Sequence, residues 1–293
     1  MTPPPLHGLA AGGSAQPHSP DWTIDQGWAA YGPAEHATWK TLFNRQSRLL
    51  PGRACDEFVQ GMLDLPMSAD EIPDFRRLSD VLSRRTGWQV VAVPGLVPDD
   101  VFFDHLAHRR FPSGNFIRSP QQLDYLEEPD VFHDVFGHVP MLMNPVIADF
   151  IQAYGQGGLR ARQRGCLTQL ARLYWYTVEF GLLQQSDGLR IYGAGIASSY
   201  TESQFCLDSP SPHRIRLDLE RVMRTDYRID DFQETYFVIR SLDELLQMAA
   251  IDFAPLYDRV AGLPALEPGT VLPQDDVLHR GDGRYHHRDG NPS

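Results

Sequence analysis

Between Leu173 and Leu183 the chain reads LYWYTVEFGLL, and Glu179 is the one side chain of that stretch charged at neutral pH. A helix that is apolar around nearly its whole circumference has no face for water, so it is buried. A carboxylate carried in with it is costly unless a cation meets it or a proton neutralises it. The segment therefore commits the fold to enclosing Glu179 and to finding it a partner. An arginine, a proton, or a metal ion shared with other ligands would serve.

Residues 129–140 read PDVFHDVFGHVP. Pro129 suits the first position of a helix, and Pro140 limits its far end. His133 and His138 are five positions apart, which on an ideal helix is roughly 140° around the axis. They face one point only if one lies at a helix end or the turn is deformed, which Gly137 and Pro140 permit. Otherwise they pack or hydrogen-bond separately. Two histidines with Glu179 would make a metal site with open positions. On Fe(II) that set lets O2 and a substrate meet at the metal, and on Zn(II) it holds a hydrolytic water. The neighbouring Phe132, Phe136, Tyr174, Trp175, Tyr176 and Phe180 would build the dry, aromatic surroundings that suit an oxygenase and a flat substrate or cofactor. A hydrolase would need a further carboxylate. Asp134 is available, but it directly follows a ligand and points elsewhere on a helix.

The rest of the chain narrows the partner class. Its 26 Lys and Arg against 38 Asp and Glu give a net charge of −12, which disfavours nucleic acid and anionic membranes. No run is long and apolar enough for a membrane span, and the N-terminus lacks the pattern of a signal peptide. Cys55, Cys166 and Cys206 form no CxxC pair and no disulfide framework, which fits a reducing cytoplasm.

Helical signals dominate. Pro33 opens a pattern through Trp39, Leu42, Phe43 and Leu49–Leu50 that stops at Pro51-Gly52. Ser68-x-x-Glu71 and Ser241-x-x-Glu244 read as capping boxes before the segments containing Phe75, Leu78 and Leu82, and Leu245 and Met248. Strand signals are few: Trp88–Val93, Arg190–Tyr192 and Thr235–Ile239. There is no βαβ rhythm and no phosphate-binding glycine loop. The expected fold is mostly α with minor short β strands, as a single domain over residues 21–262. Residues 1–20 read as a disordered arm and 263–293 as a flexible tail, and removing 1–20 and the stretch after about residue 270 is expected to leave activity largely intact. The histidines of that tail read as solvated.

Four segments in this order resemble the pterin-dependent aromatic amino acid hydroxylases, bacterial type: TGWQVVAVPGLVP (86–98), PDVFHDVFGHVP, LYWYTVEFGL (173–182) and IYGAGIASS (191–199). The likeness covers roughly residues 25–255. It implies a single catalytic domain with non-haem Fe(II), a tetrahydropterin (tetrahydrobiopterin or a relative) and O2, acting on L-phenylalanine to give tyrosine in phenylalanine catabolism. His133, His138 and Glu179 match the iron ligands. Arg118 matches the arginine that pairs with the substrate carboxylate, and Ser198 a serine near it. Pro129 and Trp175 match the walls of the ring pocket. Phe102 matches the phenylalanine under the pterin, and Gly95, Leu96 and Val97 the loop at its edge. Asp134 stands where animal members carry a glutamate that approaches the pterin through water, and Tyr174 falls on the cofactor side. Leu126 and Pro112 depart from the animal pattern of threonine and histidine. The absence of a leucine-heptad tail implies a monomer.

Overall fold

The structure, a computed structural model, describes residues 18–124 and 128–287. Most of the arm expected over residues 1–20, and also Leu126, lie outside the described residues. Helices α1 (Pro33–Leu49), α2 (Asp56–Asp64) and α3 (Phe75–Arg85) come first. Strand β1 (Gln89–Val93), helix α4 (Asp99–Ala107) and strand β2 (Arg110–Gly114) follow. The long helix α5 (Pro145–Arg164) and the shorter α6 (Leu167–Tyr174) precede a hairpin of β3 (Leu182–Gln185) and β4 (Gly188–Ile191). Next are α7 (Ala194–Ser198), α8 (Tyr200–Asp208), β5 (His213–Arg216), α9 (Leu219–Arg224) and β6 (Thr235–Ile239). Helices α10 (Leu242–Ala249) and α11 (Ala254–Val260) and strand β7 (Val277–His279) complete the order. The fold is mostly helical with short strands, as expected.

Local chemistry sets the helix starts. Pro33 stands at the head of α1, and Glu35 accepts from the Gly32 N–H at 2.7 Å. The cap of α3 is Asp74, which accepts from the Arg76 N–H at 2.9 Å. Ser68 instead forms a local turn with Asp70. The expected box there fails because the helix begins only after Pro73, too far along for Ser68 to reach its first turn. At α10 the serine makes no side-chain cap, and Glu244 reaches back to the Arg240 N–H at 2.7 Å.

β1 pairs in parallel with β2, and the other strands form a sheet in the order β4-β3-β6-β5-β7. Pro112 is tolerated in β2 because a two-stranded sheet leaves one side of each strand free of ladder bonds. The tail differs from expectation. β7 pairs antiparallel with β5, Asp275 bonds Arg221 with both side chains 4% exposed, and Tyr285 and His286 pack on Phe205. Glycine- and proline-rich composition concealed this because every partner lies far away in sequence.

Two stretches wind more widely than an α-helix. Phe132–His138 and the continuation of α6 over Trp175–Glu179 are π-helical. The wide turns are held by packing. Phe132 and Phe136 stack at 4.8 Å and meet Trp39, Phe43 and Phe58 in the core. Helix α7 lies against the first of these segments.

Candidate metal centre

The π turn settles the problem of the five-residue spacing. Its i→i+5 bonding brings residues five apart onto one face, so His133 and His138 point together while Phe132 and Phe136 enter the core. The two Nε2 atoms are 3.3 Å apart. The second π segment brings Glu179 to them: its Oε1 is 3.2 Å from His138 Nε2 and its Oε2 3.6 Å from His133 Nε2. All three ligand atoms lie within 4.8 Å of one another. Metal–nitrogen bonds of about 2.1 Å at right angles would set two nitrogens about 3 Å apart. The donors therefore fit one cation, with two imidazoles and a carboxylate on one side of it.

Burial shapes the charges. His133 is pushed down to about 4, chiefly by desolvation and against the pull of Glu179. It is therefore neutral at pH 7, as a ligand must be. His133 Nδ1 lies 2.9 Å from the Ser198 hydroxyl, which itself bonds Ala194 O at 2.8 Å. A hydroxyl has one proton to give. Ser198 gives it to the carbonyl and accepts from His133, so the Nε2 lone pair is left for a metal. The resemblance places Ser198 near the substrate carboxylate, and the structure adds its bond to the histidine. Gly195 lets α7 approach, since a Cβ there would sit 3.0 Å from Glu179 Oε2.

Arg118 is 8% exposed and is gripped by Asp130, which is fully buried. Its Nε and Nη2 each donate to that carboxylate at 2.8 Å, and Asp130 Oδ1 also accepts from the His133 N–H at 3.0 Å. Sequence reasoning missed Asp130. The signal was available, because an aspartate three residues before His133 is a helix N-cap. Pro129 immediately precedes it.

The aromatic residues divide between wall and core. Trp175 is half-buried, stacks on Tyr227 at 4.2 Å and donates its indole N–H to Gln233 at 2.9 Å. Gln233 was also missed, since nothing links it to Trp175 in sequence. Tyr174 is buried against His138 and meets Phe102 edge-on at 5.9 Å; Phe102 is 2% exposed. Asp134 is buried, with Oδ2 accepting from the Gly114 N–H at 2.8 Å; desolvation pushes it up to about 7. In the loop after β1, Gly95 has φ +145°, which favours glycine, and the Leu96 N–H donates to Glu128 at 3.3 Å. Val97 is buried.

Sequence and fold are shared with known proteins. The profile of the biopterin-dependent aromatic amino acid hydroxylases matches residues 27–259. The phenylalanine-4-hydroxylase of Caulobacter vibrioides is 62% identical over 266 residues, covering 91% of this chain and 90% of that one. The Chromobacterium violaceum phenylalanine hydroxylase with iron and phenylalanine bound superposes with a TM-score of 0.86 at 55% identity, covering 90% of this chain and 97% of that one. The same enzyme with iron(III) and 7,8-dihydrobiopterin superposes with a TM-score of 0.86 at 57% identity, covering 89% and 95%. The family profile spans most of the chain, and sequence and fold agree with these enzymes over nine-tenths of it, so the chain belongs to the biopterin-dependent aromatic amino acid hydroxylase family.

Proposed function

We propose that this chain is a phenylalanine 4-hydroxylase that converts L-phenylalanine to L-tyrosine with O2, a tetrahydropterin and non-haem Fe(II). The observation that carries the reading is the convergence of His133, His138 and Glu179 among aromatic walls. When bound, Fe(II) and the pterin supply the activation of O2 that places a hydroxyl on the ring.

The chain's own residues bind and orient. His133, His138 and Glu179 hold the metal from one side, and the carboxylate offsets part of its charge. Arg118 keeps Nη1, tied among the described residues only to Leu123 O at 3.4 Å, for the substrate carboxylate. Asp130 holds the guanidinium flat for that contact. Trp175 and Pro129 wall the ring, and Gln233 fixes the Trp175 plane. Phe102, Tyr174 and the Gly95–Leu96–Val97 loop line the pterin side, with Asp134 below them. Ser198 stands near the substrate carboxylate and also acts through His133.

No helix among the described residues is long and apolar enough to cross a membrane. A cytoplasmic monomer that binds no nucleic acid completes the reading. Three free cysteines, two of them buried, and the net charge of −12 support it. The test is turnover of iron-reconstituted protein with Phe, Tyr and Trp in parallel and excess tetrahydropterin. Tyrosine is the expected main product. Faster formation of DOPA or 5-hydroxytryptophan would overturn the substrate assignment.

A further inference from the structure

We propose that the protein has a second ligand site, for a small molecule bearing a phosphate group, in the cleft where Arg53, Arg190, Arg214 and His279 converge. The cleft holds about 650 Å³, within the range of small-molecule sites. Its basic groups come from four separate pieces of chain: the turn after α1, then β4, β5 and β7. Asp208 also lines the cleft and Asp187 pairs with Arg190, so three guanidiniums stand against two carboxylates in a chain of net charge −12.

Arg214 is the centre of the argument. It is 5% exposed, yet no carboxylate among the described residues pairs with it. Its Nε donates to Cys206 O and its Nη2 to Ser209 O, both at 2.8 Å, at the C-terminal end of α8. Its Nη1 has no protein acceptor among the described residues. A guanidinium buried without a counter-ion carries a desolvation cost that an anion would offset.

The other arginines are held ready by exposed carboxylates. Arg53 forms two bonds to Asp208, at 3.0 and 2.8 Å, and Asp208 is 57% exposed. Arg190 pairs with Asp187, which is 70% exposed, and donates to Leu189 O at 2.9 Å. The carboxylate side of each pair is open to water while the arginine side is 28% and 14% exposed, so a bound dianion can compete with the carboxylates for the guanidiniums. The walls are fixed in advance. The Cys55 N–H donates to Ile191 O and the Ile191 N–H to Arg53 O, both at 2.8 Å. Guanidinium forks on a preformed frame match phosphate better than a point charge would. None of the lining residues belongs to the metal centre.

The experiment is calorimetric titration of the full, iron-loaded chain at low salt with inorganic phosphate, AMP and succinate. Saturable one-site binding of phosphate and AMP is expected, weakened at least about tenfold by Arg190→Gln and by Arg214→Met. Arg190→Gln alters a group outside the core and keeps the test decisive if Arg214→Met fails to fold. The His138→Ala protein, titrated in the same way, should bind AMP undiminished. The proposal is overturned by absence of saturation up to about 10 mM, well above a millimolar Kd. Affinity unchanged in Arg190→Gln, loss of binding in His138→Ala, or succinate binding as tightly as phosphate would each overturn it too.

Discussion

Asp130 meets Arg118 through two parallel bonds of 2.8 Å and holds the backbone of His133 with the same carboxylate. One buried anion thus braces the proposed substrate-side arginine and the first metal ligand together. Desolvation alone would raise Asp130, but the Arg118 bonds and charge hold it below the usual carboxylate range. Replacing Arg118 with Lys keeps the charge but loses the fork. We expect a marked rise in KM for phenylalanine with a smaller change in kcat, read from steady-state kinetics. Asp130→Asn leaves a buried guanidinium without its counter-ion, which costs about 3–5 kcal/mol. Urea denaturation should show a loss of that order.

His138→Ala and Glu179→Gln should each yield folded protein without stoichiometric iron and without turnover. Circular dichroism and metal analysis on the same samples separate loss of metal from loss of fold. Full iron content and activity in either variant would remove that residue from the ligand set.

Ser198→Ala removes the acceptor that keeps the His133 proton on Nδ1. Partners of this kind are worth about 10–100-fold in metal affinity or activity. A competition titration against a chelator should show weaker iron binding while stability stays close to the parent. Unchanged affinity would mean that the tautomer is held by something else.

Glu202 is buried on α8, where it accepts from the Tyr236 hydroxyl and, at 3.5 Å, from the Gln233 N–H. Desolvation pushes its carboxyl up from 4.5 to about 7, with Asp231 adding a little and Tyr236 and Gln233 opposing. A raised acid pKa means that the folded chain keeps a proton the unfolded chain gives up. Stability from this group is complete below about pH 4.5 and falls as pH rises to about 7, by about 3 kcal/mol in all. Glu202→Gln should flatten that slope and leave the variant the more stable above pH 7. Parallel denaturant midpoints from pH 4.5 to 8 check it.

Asp275→Asn tests the ordered tail. Its bond to Arg221 is buried on both sides, so the variant should lose about 3–5 kcal/mol. Deleting the residues after 262 should lower the melting temperature further, because β5 also loses β7. A truncated chain that melts like the parent would restore the loose tail read from composition.

The ligand set was legible because its parts are unusual: a lone carboxylate in an apolar run, and two histidines in a short segment between prolines. Their convergence was not, because the α period sets His133 and His138 apart and only the π turn aligns them. The fold class followed from helix periodicity, and three strands were read from β-branched and aromatic runs. β2, β3, β5 and β7 escaped, being short and defined by distant partners rather than by local pattern. The same limit hid Gln233 behind Trp175, 58 residues away. It also hid the bond from His133 to Ser198, 65 residues away.

The position of β7 has a consequence for how the protein is made. Glu179 leaves the ribosome about a hundred residues before Val277, and His133 and His138 about 140 before it, and domains fold as the chain emerges. During that interval β5 has an open edge, the kind of unpaired strand that joins other chains. The centre's ligands are thus present before the sheet is sealed. Synthesis arrested in this window would leave a nascent chain with that edge exposed, so the last strand acts as a seal on completion.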